Sequence, residues 1–353
     1  MAVGKEIDMT KLVIVVPCYN EEAVLPACAT QLRELLDDLE SRREVSAESR
    51  ICFVDDGSQD DTWRLIQDLT GSDSRICGIK LSRNHGHQRA VLAGLSSVNA
   101  DVVVSIDADL QDDVNCIRQM LAKYREGAEI VYGVRRDRQS DTFFKRWTAR
   151  VFYRFLGMLG VEIVRDHADF RLMSKRVLEV LADYQEANLF LRGVVPTIGF
   201  PSAVVTYVRN AREAGESKYP LRRMLSLAVD GVTSFSAVPL RLIAGLGVVI
   251  FLVTIALSVW VFWIKLTNAD AVPGWASSVL PMYLLGGIQL LSIGVVGEYI
   301  AKIYMETKRR PRFIIQSLLG DSEAFLGRGM VQARAGREMM VEDSVTGGKN
   351  PSE

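Results

Sequence analysis

Net charge is almost absent from this 353-residue chain, which sets 42 Lys+Arg against 43 Asp+Glu for a formal −1. A general nucleic-acid binder usually carries a strong basic excess, so no nucleic-acid partner is expected. Histidine is scarce, at three. His85 and His87 sit two positions apart and His167 stands alone. That is too few for a histidine metal site, and they read as polar loop residues. The five cysteines (Cys18, Cys28, Cys52, Cys77, Cys116) form no CxxC pair. This argues against a disulfide framework or a zinc knuckle and fits a reducing setting. No G-x-G-x-x-G follows the first apolar run, and no G-x-x-x-x-G-K-[ST] occurs anywhere. Dinucleotide oxidoreductase and P-loop readings therefore lose support. No long apolar run precedes Pro17, so no cleavable signal peptide is expected.

Charge is missing altogether from two stretches, Leu242 to Ile264 and Trp275 to Gly297, each 23 residues long. As helices each would extend roughly 35 Å, enough to cross a hydrocarbon core of about 30 Å. The short linker Lys265 to Gly274 predicts a transmembrane hairpin. Arg209, Arg212, Lys218, Arg222, Arg223 and Arg241 precede it, and Lys302, Lys308, Arg309, Arg310 and Arg312 follow it. The linker holds only Lys265 and Asp270, so positive-inside logic puts both flanks in the cytoplasm. Residues 219–236 place Leu221, Met224, Leu225, Leu227, Val232 and Phe235 among basic residues. That pattern suits an amphipathic helix on the membrane surface, and its position before a span favours this over an ordinary packed helix.

The first 210 residues alternate short β-rich runs with helical patterns. Strands are expected at Leu12–Val16, Ile51–Val54, Ile76–Leu81, Val102–Ile106 and Ile130–Tyr132. Helices are expected at Glu22–Glu40, Thr62–Leu69, Gln88–Val98 and Val114–Tyr124. Such alternation predicts an α/β fold with a mostly parallel sheet. Four regions result: an α/β domain at 1–218, the amphipathic helix at 219–240, the hairpin at 241–298, and a basic segment with a partly disordered tail at 299–353.

In open parallel sheets ligands bind beyond the carboxyl ends of the strands. Strand one runs into Pro17-Cys18-Tyr19-Asn20-Glu21-Glu22, strand two into Asp55-Asp56-Gly57-Ser58, and strand four into Asp107-Ala108-Asp109-Leu110-Gln111-Asp112. Two carboxylates two residues apart can share one divalent cation and leave positions for phosphate oxygens, which suits Mg²⁺ or Mn²⁺. An acidic cap that is merely solvated is the common alternative for a lone DxD.

The strings IVVPCYNEE, FVDDGSQDDT, LSRNHGHQRAVLAGL, SIDADLQD, ADFRLMS and AREAGESKYP occur in this order. Together they resemble family 2 inverting glycosyltransferases of GT-A fold, most closely the polyisoprenyl-phosphate glycosyltransferases, which include dolichyl-phosphate-mannose synthase-like and bactoprenol glucosyltransferases. The resemblance runs from residue 11 to about 312. It implies nucleotide contacts from Pro17, Tyr19 and Glu21, and base and ribose contacts from Asp55 and Asp56. Arg83, Asn84 and Gly86 would line the nucleotide pocket, although a helix start explains Asn84 and Gly86 equally well. Asp107, Asp109 and Gln111 resemble the metal site, and Arg135 could meet a phosphate. Asp169 and Arg171 resemble the part of the site beside the acceptor. Arg209, Arg212, Ser217 and Lys218 resemble a phosphate-binding loop, where flanking charge would explain the arginines alone.

The implied activity is metal-dependent, inverting transfer of a sugar from a nucleotide sugar to a polyisoprenyl phosphate at the cytoplasmic face of the inner membrane. UDP and glucose are favoured, and a GDP-mannose donor is the alternative. A homo-oligomer is compatible with the sequence. A processive polysaccharide synthase would carry Q-x-x-R-W, and the nearest string is Phe143-Phe144-Lys145-Arg146-Trp147. A non-catalytic lipid- or nucleotide-binding scaffold would have no need for Asp55, Asp56, Asp107 and Asp109 together.

Overall fold

The computed structural model describes residues 9–109, 111–135, 167–184, 186, 191–207, 238–267, 275–321 and 324–325. β1 (Leu12–Cys18) is buried at every position. A continuous run of this kind suits a parallel strand covered on both faces. It is followed by α1 (Leu25–Ser41), β2 (Arg50–Asp55), α2 (Thr62–Ser72), β3 (Ile76–Leu81), α3 (His87–Ser97), β4 (Val102–Ser105), α4 (Cys116–Arg125) and β5 (Ile130–Arg135). Pro26 sits in the first turn of α1, where its missing N–H costs nothing. These elements match the expected ones to within about three residues at each end.

β6 (His167–Ser174), α5 (Lys175–Asp183), α6 (Leu191–Thr197) and β7 (Ser202–Tyr207) follow. One eight-stranded sheet results, in the order β7-β5-β6-β4-β1-β2-β3 and then β8 (Ile315–Leu319). β1 is parallel to β2 and β4, β2 to β3, and β5 to β7; β6 runs antiparallel to β4 and β5, and β8 antiparallel to β3. All strands except β6 and β8 therefore point the same way. α3 lies so close on the sheet that a Cβ on Gly94 would fall 2.3 Å from a Val15 methyl, so only glycine fits there. The core under α1 and α4 joins Leu25, Leu32, Leu36, Ile117 and Met120 to Ile14, Phe53, Val104 and Phe170.

Two long helices form a separate compact unit: α7 (Val238–Thr267, 30 residues) and α8 (Trp275–Thr307, 33 residues). Both expose large apolar side chains, among them Leu252, Val259, Trp260 and Trp263 on α7 and Met282, Leu290 and Ile293 on α8. Among the described residues, one stretch is long and apolar enough to cross a membrane, Ile288–Thr307, with mean hydropathy 1.3. It lies closer to the C-terminus than the expected Trp275–Gly297, and it takes in Glu298, Lys302 and Glu306. Of the expected amphipathic segment 219–240, the last three residues form the first turn of α7 and the rest lies outside the described residues.

The segment after α8 departs most from expectation. Residues from Pro311 return to the unit that holds the sheet. Phe313, Ile315, Ala324 and Phe325 are buried. The Ser82 amide donates to the Ile314 carbonyl, the Asn99 amide to the Ala324 carbonyl, and Arg312 to the Tyr184 carbonyl at 2.6 Å. A sequence reading sees basic flank and tail here, because a five-residue strand placed after two long helices has no local signal for pairing with β3, at Ile76–Leu81. The last ~10–15 residues, expected to be disordered, lie outside the described residues.

Ile315→Ala should therefore cost about 2–5 kcal/mol, the usual range for truncating a buried Leu, Ile or Met to Ala. Thermal unfolding of the detergent-solubilised chain would read it, and an unchanged midpoint would mean that β8 is not docked.

Candidate active site

The carboxyl ends of β1, β2 and β4 lie side by side because the strands are parallel and in register, with Cys18 opposite Asp55 and Val15 opposite Ser105. The loops beyond them are tied together through the backbone. Asn20 adopts a left-handed conformation (φ 55°); its amide donates to Ser58 Oγ at 3.0 Å, and its side-chain oxygen accepts from the Gln59 amide at 2.9 Å. The Glu21 amide donates to Thr62 Oγ1 at 2.9 Å. Pro17 lies in the last, buried part of β1, before Cys18, and Tyr19 stands exposed at the rim.

Asp55 and Asp56 are both buried, yet the structure gives them different tasks. The Asp56 carboxylate accepts the backbone N–H groups of His85 at 2.7 Å and Gly86 at 2.9 Å, which clamps the β3–α3 loop that carries Arg83 and Asn84. Gly57 allows this approach: its φ is +71°, and a Cβ there would fall 2.5 Å from the Arg83 carbonyl carbon. Asp55 accepts the Ser58 amide on Oδ1 at 3.1 Å, while its Oδ2 is buried with no hydrogen-bond partner. Burial raises both carboxyl groups above the usual range, against the hydrogen bonds they accept. A buried acceptor without a donor costs about 1–3 kcal/mol, so Asp55 Oδ2 is placed to be satisfied by a ligand N–H or O–H.

The second half of the site centres on Asp169, on β6. Its carbonyl accepts from Ser105 Oγ at 2.6 Å, which fixes it beside the end of β4. Its carboxylate meets three basic groups. Arg171 Nη2 donates to Oδ1 at 2.7 Å, Arg192 donates to both oxygens at 3.1 and 3.0 Å, and His87 Nε2 lies 3.3 Å from Oδ2. His87 Nε2 also lies 3.5 Å from Asp107 Oδ1, so one imidazole bridges Asp107 and Asp169. Burial acts to raise the Asp169 carboxyl, but His87, Arg192 and Arg171 outweigh it and hold the group well below the usual carboxylate range. For His87, burial acts to lower the pKa, and the two carboxylates reverse this and raise it. Asp107 is pushed up to about 6, first by burial and then by Asp169, Asp112 and Asp109, against His87.

A divalent cation fits this donor set. Gln111 Oε1 is buried with no hydrogen-bond partner, while the Gln111 amide donates to Asp109 Oδ1 at 3.2 Å. Asp107 sits among acids that disfavour its charge, which a cation would relieve. Among the described residues no cluster of three or more His, Cys, Asp and Glu side chains could hold a metal by itself. Two carboxylates and an amide oxygen would thus leave positions for ligand oxygens, as Mg²⁺ and Mn²⁺ accept.

Arg83 lies in the clamped loop, and its Nη1 is 3.4 Å from the Asn84 carbonyl. Arg135 ends β5. Arg209, Arg212, Ser217 and Lys218 lie outside the described residues. Sequence reasoning missed His87, read as a polar loop residue, and Arg192. The sign of Arg192 in the sequence is a lone arginine in the run Leu189-Phe190-Leu191-Arg192-Gly193.

The sequence model of the family described as "Glycosyl transferase family 2" matches residues 13–182. The chain is 52% identical to "Uncharacterized glycosyltransferase YkoT" of Bacillus subtilis (strain 168), over 86% of this chain and 90% of that one. It is 37% identical to "Bactoprenol glucosyl transferase" of Shigella phage SfX, over 87% of this chain and 99% of the other. It is also 37% identical to "Prophage bactoprenol glucosyl transferase homolog" of Escherichia coli (strain K12), over 87% and 98%.

A folded-state pKa held down at Asp169 has a definite pH signature. The stability it contributes is fully present above the unfolded carboxylate value of about 3.9 and is lost only as pH falls below it. Asp169→Asn should therefore lower the thermal midpoint at neutral pH, and the gap should narrow progressively as pH falls below about 4. The raised pKa of His87 adds a second part to the gap, which is present below the unfolded histidine value of about 6.5 and is lost as pH rises above it. A gap that does not narrow below about pH 4 would contradict the role of Asp169.

Proposed function

The chain belongs to glycosyl transferase family 2, and on that premise we propose that it transfers a sugar, with inversion, from a nucleotide diphosphate sugar to a polyisoprenyl phosphate. One observation supports the reading: the open acceptor of Asp55 and the side chains of Asp107, Asp109 and Gln111 follow the carboxyl ends of parallel strands in one sheet, where they would meet the two ends of a nucleotide diphosphate. Asp55 Oδ2 would accept from the base, which favours uracil with its N3–H. Pro17, Tyr19, Glu21 and Arg83 would frame the nucleotide, with Asp56 holding the loop beneath it. Asp107, Asp109 and Gln111 would hold Mg²⁺ or Mn²⁺, which supplies charge neutralisation to the departing diphosphate. Arg135, Arg209, Arg212, Ser217 and Lys218 are the further phosphate contacts implied by the sequence. Relatives named as bactoprenol glucosyl transferases support a lipid-carrier acceptor and glucose as the sugar.

Asp169 is a poor general base in this arrangement, because two arginines and His87 stabilise its charged form. The chemistry has little need of one. A phosphate monoester has its second pKa near ~6, so the nucleophile is already largely ionised at neutral pH. Asp169 instead orients basic side chains, and Arg171 locks it from the buried side.

The membrane reading rests on α7 and α8. β7, before them, and β8, after them, share one sheet. Any bilayer crossings by the chain between these strands must then be even in number. The apolar exposure of both helices supports two crossings, and the flanking lysines and arginines support a cytoplasmic catalytic domain in the inner membrane.

Purified chain given UDP-glucose and undecaprenyl phosphate should form a lipid-linked sugar, lose this activity in EDTA and regain it with Mg²⁺ or Mn²⁺. Asp109→Ala should stay folded and inactive. Full activity of Asp109→Ala in chelator would overturn the metal role. A cysteine placed at Asp270 should be labelled from the periplasmic side and one at Ser344 should not; the reverse pattern would sink the cytoplasmic assignment.

A further inference from the structure

We propose that Tyr207 is a positioning residue for the cation site and acts on it through Asp112; the assignment rests on the cation site proposed above. Tyr207 is the last residue of β7 and lies in register opposite Arg135, the last residue of β5. It is buried, at 3% exposure, and its hydroxyl donates to Asp112 Oδ1. Asp112 is buried as well and directly follows Gln111 in the loop beyond β4. A hydroxyl on a carboxylate makes one of the stronger hydrogen bonds. Its two partners are 95 residues apart in the chain, so the end of β7 holds the loop that carries Asp107, Asp109 and Gln111.

The ring that carries this hydroxyl is itself fixed. Tyr207 meets Phe170 edge to face, with ring centroids 5.5 Å apart and ring planes at 79°. Aromatic pairs prefer such a geometry, so packing sets the direction in which the hydroxyl points. Phe170 in turn is pressed against β5, where a Cβ on Gly133 would fall 2.7 Å from Phe170 Cδ1 and 3.0 Å from its carbonyl oxygen. Phe170 is the chain neighbour of Asp169 on β6. One piece of β6 therefore supports both the Asp169 cluster and, through Tyr207, the cation loop. A packing role alone would be served by phenylalanine, which fills the same space and needs no acceptor in the core.

Asp112 lies near the cation site without completing it. Burial first, then Asp169 and then Asp112 push the Asp107 carboxyl up, so the field of Asp112 reaches Asp107. Yet among the described residues no three His, Cys, Asp and Glu side chains are grouped to hold a metal, so Asp107, Asp109 and Asp112 do not form a three-carboxylate site. Asp112 stands behind the ligands instead. Groups in that position fix the orientation of the ligands in front of them, and losing one typically lowers metal affinity about 10–100-fold.

The test is Mn²⁺ binding to the full-length chain in detergent with one equivalent of UDP, followed by the loss of the free-ion EPR signal. UDP binding in EDTA is measured separately by calorimetry, and thermal unfolding in EDTA gives the stability of each variant. Tyr207→Phe keeps the ring on Phe170 and removes only the hydroxyl. It should weaken Mn²⁺ binding about tenfold or more, with UDP affinity in EDTA within about twofold of wild type. Asp112→Asn leaves an oxygen for the hydroxyl but no charge, and it should weaken Mn²⁺ binding in the same direction. It keeps the test open if Tyr207→Phe does not fold. A folded Tyr207→Phe with the Mn²⁺ affinity of wild type makes Tyr207 a packing residue and overturns the assignment, whatever its thermal midpoint. An equal loss of Mn²⁺ binding and of metal-free UDP binding overturns it too, because the whole site has then been disturbed. A wild type that binds no Mn²⁺ overturns the cation site itself, and this inference with it.

Discussion

A carboxylate taken out of water keeps its charge only where cations and hydrogen bonds replace the water, and at Asp169 three basic groups do so. The rest of the site hangs on this cluster. It ties β6 to α3 through His87, to α6 through Arg192, and to β4 through the Ser105 hydroxyl on its carbonyl. Remove the acid, and Arg171 is left as a buried, uncompensated charge at 1% exposure. Asp169 thus connects the packing of the sheet to the chemistry at its edge. Its depressed pKa makes it a holder of cations.

The other half of the site obeys a different constraint, close backbone approach. Gly57 and the buried Asp56 carboxylate let the β2 and β3 loops come within van der Waals distance, where a side chain at 57 would collide with the backbone at 83. Asp56 is used up largely within the protein, and Asp55 keeps a buried oxygen without a hydrogen-bond partner. Two adjacent aspartates with the same sequence logic thus divide into a clamp and an open acceptor.

Chain connectivity adds a constraint at larger scale. A sheet whose last strand is made after two long apolar helices cannot be completed until those helices have been synthesised. The same connectivity requires any bilayer crossings between β7 and β8 to be even in number, which an apolar-run count alone does not establish.

By itself the sequence determined the alternating α/β order, the five leading strands, the acidic strand ends at Asp55, Asp56, Asp107 and Asp109, and the two uncharged runs. Each of these is a local pattern, set by side-chain period or by residue type beside a strand end. It did not contain the antiparallel insertion of β6 or the return of β8, since strand pairing across many residues leaves no local mark. Nor did it distinguish Asp55 from Asp56, or raise His87 and Arg192 above ordinary polar residues. Those distinctions depend on which groups lie within about 3 Å of each other, and for a buried charge that distance decides protonation, orientation and use. Only the tertiary structure brings His87, Asp107, Asp169 and Arg192, spread over more than 100 residues of chain, into one line of contacts.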